Sequence, residues 1–228
     1  MIKIENYEVV GLDHTIRGMR NPMNSWDRSD SGYKCPYYNT KETVCSGCNE
    51  NMCIGPNDHD LMMRLSNAGT DHRKFMRMIT VYLDITAPLY WWKEFDTYKV
   101  GTVANSCSTM HKIHAKEFTL EDFSCEHLSE PAISILKNTI EALNQARDLY
   151  LGYDGFKHQW GDWEKKHYWW QMIQLLPSSY NQKRTVQFNY AVLKNIYHAR
   201  RNHKLDCWIE FCEWIEGLPY AKELICNE

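Results

Sequence analysis

Neither sign of charge dominates this chain: 26 Lys and Arg face 29 Asp and Glu among 228 residues, for a net charge of −3. It therefore lacks the broad basic footprint needed to grip duplex nucleic acid, and any phosphate it binds is held locally, one nucleotide at a time. Long apolar runs are missing too. No stretch of roughly 18 apolar residues occurs, so no segment reads as a membrane-spanning helix. The opening MIKIENYEVV carries no apolar signal-peptide core, which makes the cytoplasm the expected location and a membrane partner unexpected. There is no internal repeat and no low-complexity linker. The nine cysteines are odd in number and mostly scattered, against a secreted disulfide framework.

What the chain has is apolar mass and aromatic rings. Hydrophobic residues make up 43% and charged residues 24%, enough for a packed core in one domain with an elaborated insert. Aromatics reach 13%, with nine Trp. Such rings serve a core or a subunit interface, and equally the flat walls of a nucleotide pocket.

Periodicity gives an α+β order with a helix-rich carboxyl half; the sheet is expected as mixed. IKIENYEVV alternates as a first strand, and TIRGMRN follows as a short helix. Asn21 to Pro56 is rich in Asn, Ser, Asp, Gly, Pro and Cys and reads as an ordered insert at about 24–55. NDHDLMMRLSNAG is a helix with Asn57 or Asp58 as N-cap and Gly69 as its stop. RMITVYLDIT is a strand, and Pro88 opens the helix PLYWWKEFD. Beyond it, Ser129 and Pro131 start a long helix, and KKHYWWQMIQLLP forms a second. RTVQFNYAVLKNIYHARRNHK reads as a third helix and LDCWIEFCEWIEGLP as a fourth.

Two segments carry chemistry. If Thr185 to Lys204 is one helix, Asn189, Leu193, Ile196, Arg200 and His203 fall within about 80° of one another. An arginine ending a mostly buried stripe needs an anionic partner, either a carboxylate of the protein or a phosphate or pyrimidine carbonyl that fits its fork. The other segment, APLYWWKEFDTYKVGTVANSCSTMHKIH, is dense in hydroxyls and amides. A buried strand would have to find partners for all of them, so an anchored functional loop and a solvated loop both fit.

Together these segments resemble the flavin-dependent thymidylate synthases. That family has a helix beginning near Ala-Pro, then Arg-His-Arg, two residues, Ser, and later Glu-x-Ser-x-Arg. Counting from Ala87-Pro88, Thr97-Tyr98-Lys99 stand at the Arg-His-Arg triplet and Thr102 at the Ser. Asn105 stands at the Glu, Cys107 at the next Ser, Thr109 at the last Arg, and Glu94 at a substrate-touching Gln. Downstream, Asn189, Asn195 and Arg200 keep the spacing of the family's Asn, Asn and Arg. LMMRLSNAGTDH is similar to a leucine-rich helix ending in Gly-His, with His72 near the His, and Arg17 and Arg20 resemble an early Arg-Ala-Ala-Arg segment.

The resemblance implies FAD as cofactor, faced by His72, Tyr98, Lys99, Asn189 and Asn195. It implies a pyrimidine nucleotide contacted by Glu94, Lys99, Thr102, Asn105, Cys107, Ser108 and Arg200, with NADPH and methylenetetrahydrofolate as co-substrates. It also implies a homotetramer with sites formed between subunits. Two phosphate-binding arginines of the family are missing: Thr109 replaces one, and Met172, Ile173 and Gln174 occupy the neighbourhood of the other. Losing both contacts removes roughly 3 to 6 kcal/mol of charge-assisted hydrogen bonding. Lys99, Lys112, Lys183 or Arg184 are the replacements at hand; otherwise the substrate is a different pyrimidine, or the chain only binds or sequesters nucleotides. In that family no protein nucleophile attacks the base, so Cys107 is expected as a small packed residue; a nucleophilic role would require it to be exposed and its thiol acidified.

Cys35, Cys45, Cys48 and Cys53 form a separate group, spaced C-x9-C-x2-C-x4-C. The C-x2-C pair has the bite for a tetrahedral structural zinc, while free thiols or a disulfide also fit the irregular outer spacings. His111 and His114, spaced i, i+3, fit either a shared ligand or plain exposure to solvent, and solvent is the expectation.

Overall fold

The computed structural model describes residues 2–32, 52–152 and 161–227. Among them are four strands, β1 (Lys3–Val10), β2 (Thr80–Pro88), β3 (Val103–Ser106) and β4 (Asn181–Asn189). The helices are α1 (Leu12–Arg20), α2 (Pro56–Asn67), α3 (Leu89–Phe95), α4 (Glu130–Leu151), α5 (Asp162–Leu175), α6 (Tyr190–Arg200), α7 (Asp206–Glu216) and the short α8 (Ala221–Leu224). The sheet, expected as mixed, is antiparallel, in the order β1-β2-β4-β3. Its register is pinned at two points: the Leu89 N–H donates to the Tyr180 carbonyl, and the Tyr190 N–H to the Ile79 carbonyl, each at 3.0 Å.

The chain divides into two compact units. One holds residues 1–4, 84–97 and 104–185; the other holds residues 5–83, 98–103 and 186–228. In the first, α4 turns Leu136, Ile140, Leu143 and Ala146 onto one face, the three- and four-residue spacing of a buried stripe. That face joins Ile113, Phe118, Phe123 and Met172 in one core. Ser129 is the N-cap of α4 and Pro131 lies in its first turn, as the sequence predicts, and Gly152 ends it at φ 77°. In the second unit, Trp208, Phe211 and Ile215 of α7 are fully buried, as are Leu193 and Ile196 of α6. Lys194 on α6 turns inward, and its ammonium donates to the carbonyls of Leu224 and Asn227 at 3.2 and 2.6 Å, fastening the end of the chain. No described helix is long and apolar enough to cross a membrane.

Two expectations about boundaries change. RTVQFN is the end of strand β4, not the start of a helix; Val186 and Phe188 are buried at strand period. The sequence runs without a breaker from this strand into α6, so helix-like apolar spacing hides the junction. Asn189 marks it as the α6 N-cap. In α2 the N-cap is Gly55 with Pro56 following it, and Gly69 stands just past the C-cap Ala68 at φ 99°.

Asp58 is released from capping for another task. Its carboxylate is fully buried and accepts from five donors: Arg20 Nε at 2.5 Å, the Ser29 and Ser31 hydroxyls at 2.7 and 2.6 Å, and the Asp30 and Ser31 N–H groups at 3.1 Å. Burial by itself raises this carboxyl, but the bonds from Ser31, Ser29 and Arg20 outweigh it and hold it below the ordinary aspartate value. Residues 29–31 belong to the early part of the insert and Asp58 follows its end, and the Gly32–Cys53 bridge joins the two described stretches of the insert again. Asp58 thus holds the 29–31 segment against α2.

Candidate functional site

In the second unit the candidates gather at the two ends of α6. At its start, the Asn189 side chain accepts from the Val192 N–H at 3.1 Å. The turn before β3 closes over this cap. Gly101 lies there at φ 79°, where a Cβ would meet Asn189 Nδ2 at 3.0 Å and Val192 Cγ2 at 3.2 Å. Gly101→Ala therefore meets both an unfavourable backbone and a crowded neighbour, and is expected to cost about 1–3 kcal/mol. The denaturant midpoint checks this; an unchanged midpoint would mean the turn is not held against the cap.

At the far end, Arg200 is the last residue of α6. Its Nε donates to the Tyr98 hydroxyl at 2.9 Å. The guanidinium carbon stands 4.9 Å from the Trp208 ring centroid and 5.7 Å from that of Tyr98, and the two rings meet edge-on at 6.0 Å. An arginine gripped this way has a fixed plane, and a fixed guanidinium plane can orient a planar, carbonyl-bearing ligand. The helix stops at Arg200, so His203, expected on the same helical face, sits beyond it and instead meets the Trp208 ring edge-on at 6.3 Å.

The chemistry of the other candidates of this unit suits a flavin nucleotide in part. Lys99, His72 and Asn195 are exposed. The Thr102 hydroxyl is buried and has no hydrogen-bond partner among the described residues, the mark of a group that waits for one. A cation, an amide, an imidazole and an orphaned hydroxyl are what a pyrophosphate and a polyol chain ask for. Asn189 is spent as a cap and Tyr98 on Arg200, so these two shape the site more than they donate to a ligand.

The first unit holds a cavity of about 710 Å³. Cys107, Ser108, Thr109, Lys112 and Lys183 line it together with Phe118, Phe123 and Tyr180. Cys107 is exposed, not packed as its isolation suggests. Its backbone is clamped to β4: its N–H donates to the Lys183 carbonyl at 2.9 Å, and its carbonyl accepts from Gln182 Nε2 at 2.8 Å. Glu94 is half-buried on α3, and Asn105 is exposed on the edge strand β3. The hydroxyl-rich run is thus neither a buried strand nor a free loop. It is a short exposed edge strand, all four residues open to solvent, anchored by the aromatics before it. Trp92 Nε1 donates to the Gln182 carbonyl at 2.9 Å, and Arg184 lies 4.2 Å over the Trp92 ring.

Two of the cations considered as replacements are committed elsewhere. Arg184 pairs with Asp96 at 2.7 Å and Lys183 with Asp84 at 3.2 Å. His114 is half-buried, its ring 4.6 Å from that of Tyr150; burial, then Lys112 and Arg147, disfavour its charged form. Cys35, Cys45 and Cys48 lie outside the described residues, and Cys53 is buried. No group of three or more metal-ligating side chains occurs among the described residues. Sequence reasoning missed Trp208 and the ring trio of Phe118, Phe123 and Tyr180, which only tertiary folding brings beside the polar candidates.

No family model matches the sequence, and no curated protein matches it. Solved structures do. Flavin-dependent thymidylate synthase ThyX from Helicobacter pylori, complexed with FAD and dUMP, superposes with a TM-score of 0.62 at 14% identity, over 98% of this chain and 97% of that one. A second structure of thymidylate synthase X from the same organism, also with FAD and dUMP, gives 0.62 at 15% identity, over 99% and 97%. From end to end, this chain has the fold of the flavin-dependent thymidylate synthases.

Proposed function

We propose that the chain is a flavin-dependent enzyme that reductively methylates a deoxyuridine nucleotide, using methylenetetrahydrofolate and NADPH. The observation that carries this reading is Arg200, locked by Tyr98 and Trp208 at the end of the helix that bears Asn189 and Asn195. Bound FAD supplies the redox chemistry. The chain's own residues bind and orient. Arg200 holds a pyrimidine by its carbonyl edge; the resemblance also assigns Glu94 and Asn105 to a substrate. Lys99, Thr102, Asn195 and His72 meet the flavin nucleotide, while Tyr98 and Asn189 keep their surroundings in shape. Cys107 takes no covalent part. The working form is a cytoplasmic homotetramer, as the resemblance implies, and the exposed aromatics Trp163 and Trp170 suit subunit contacts.

A second reading, modification of another pyrimidine, is favoured by one observation. At the places of the missing arginines stand Thr109 and the neighbourhood of fully buried Met172, while Arg184 and Lys183 are engaged with carboxylates. Absorbance of the purified protein tests both readings. A yellow protein, or one that takes up added FAD, is expected; a colourless protein that takes up none overturns both. Turnover of dUMP with the folate and NADPH then separates the first reading from the second.

A further inference from the structure

From a second cavity, of about 400 Å³, between α1 and the 26–29 segment, we infer a binding site for a small aromatic carboxylate, with Arg17 as its anchor and Trp26 as its floor. The site lies wholly within the second unit and uses the Arg17 and Arg20 pair, to which the flavin reading gives no task.

Arg17 and Arg20 stand three residues apart on α1, so their side chains are neighbours on one helix face. They play different parts. Arg20 is 4% exposed; its Nε donates to Asp58 at 2.5 Å and its Nη1 to the Ser25 carbonyl at 3.3 Å. Asp58 balances its charge, but a guanidinium carries five N–H donors, and the two on Nη2 make no hydrogen bond among the described residues. Arg17 is exposed and makes no ion pair or hydrogen bond among the described residues. The cavity thus holds one uncompensated positive charge and, beside it, spare N–H donors on a buried and fixed group. That is the donor set for a single carboxylate, whose two oxygens match the guanidinium fork.

The apolar part of the cavity asks for a ring. Trp26 is 47% exposed, and its Nε1 donates to Asn21 Oδ1 at 2.8 Å, which holds the indole in place. Ile16, 2% exposed, and the half-buried Met52 thioether line the same cavity. An indole face, a branched aliphatic and a thioether receive a flat apolar group well. Asp13 limits the charge. It lines the cavity too, accepting from the His14 N–H at 2.8 Å, so a second negative charge on the ligand would be repelled with only Arg17 to offset it. The Ser29 hydroxyl is spent on Asp58 and adds no donor. The volume falls toward the lower end of small-molecule sites, roughly 300 to 1,000 Å³, and suits one ring with one carboxylate.

The test is a ligand-observed NMR titration of benzoate, benzamide and phenyl phosphate against the wild-type protein, Arg17→Met, Arg17→Lys and Trp26→Leu, with a melting temperature for each variant. Wild type is expected to bind benzoate with a Kd on the order of a millimolar or tighter, and both benzamide and phenyl phosphate more weakly. Arg17→Met should lose roughly tenfold or more in benzoate affinity, the worth of one charge-assisted contact. Its melting temperature should not change, since Arg17 bonds to no described residue. Arg17→Lys should recover part of the loss, keeping the charge but not the fork. Trp26→Leu should weaken benzoate and benzamide alike, because it removes the floor and not the anchor. Absence of saturable benzoate binding to wild type overturns the inference, as does equal benzoate affinity in wild type and Arg17→Met. Phenyl phosphate binding more tightly than benzoate overturns the assignment to a carboxylate. None of these readouts depends on FAD.

Discussion

Asp58→Ala is expected to lower the stability of the fold by about 3–5 kcal/mol, the cost of leaving one partner of a buried ion pair uncompensated. The substitution strands Arg20, only 4% exposed, and at the same time removes the acceptor of four further hydrogen bonds from the 29–31 segment. At roughly 2–4 °C per kcal/mol for a chain of this size, the melting temperature should fall by about 6 to 20 °C. Arg20→Met should cost a similar amount, and the double variant less than the sum, because both changes break the same bond. A fall of under about 2 °C for Asp58→Ala would show that the 29–31 segment is held by something other than this carboxylate.

The same carboxylate sets a pH dependence. Its pKa is lower in the folded chain than the ordinary value of 3.8, so the stabilisation it brings is complete above that value. It is lost as pH falls through the depressed folded value. Urea unfolding of wild type and Asp58→Asn between pH 7 and pH 2 should therefore show a constant gap down to about pH 4, narrowing below it. A gap that persists to pH 2 would contradict the charged-acceptor account.

How much of this was legible beforehand depends on whether the signal is local. The strands at Lys3–Val10 and Thr80–Pro88 and the long helix from Glu130 announce themselves by period and by Ser-x-Pro or Pro start signals, and all three stand where the sequence puts them. β4 does not, because a strand's alternation and a helix's three- and four-residue spacing agree over the few residues around Asn189. Only pairing with β2 and β3 decides between them. In the site, Arg200 was legible as an arginine needing a partner, yet its actual companions, Tyr98 and Trp208, lie far from it in one direction and just past the helix end in the other. The local pattern fits either Asn57 or Asp58 as a cap; Asp58 is instead the buried acceptor. Its true partners on 29–31 stand 27 to 29 residues away along the chain, and no local rule reaches that far.

Arg200→Ala is expected to have the largest effect on activity. If the guanidinium meets a pyrimidine carbonyl edge through two charge-assisted bonds, their loss is worth roughly 3–6 kcal/mol, or about 10²- to 10⁴-fold in kcat/KM. Arg200→Lys should not rescue it, since an ammonium keeps the charge but not the planar fork. Tyr98→Phe separates orientation from charge. The ring remains against Trp208 and the bond to Arg200 Nε is lost, so the guanidinium keeps its place over Trp208 with one restraint fewer on its orientation; a loss of about tenfold, mostly in kcat, is expected. Flavin uptake should survive in all three variants, because Arg200 is assigned to the substrate and not to FAD. Steady-state kinetics with a flavin titration on each variant decide the matter. If Arg200→Ala loses flavin and substrate together, or unfolds at room temperature, the arginine is a brace between α6 and α7 and the base-orienting role falls. If substrate affinity alone drops while the flavin spectrum is unchanged, its grip by Tyr98 and Trp208 is what makes the helix end a binding site.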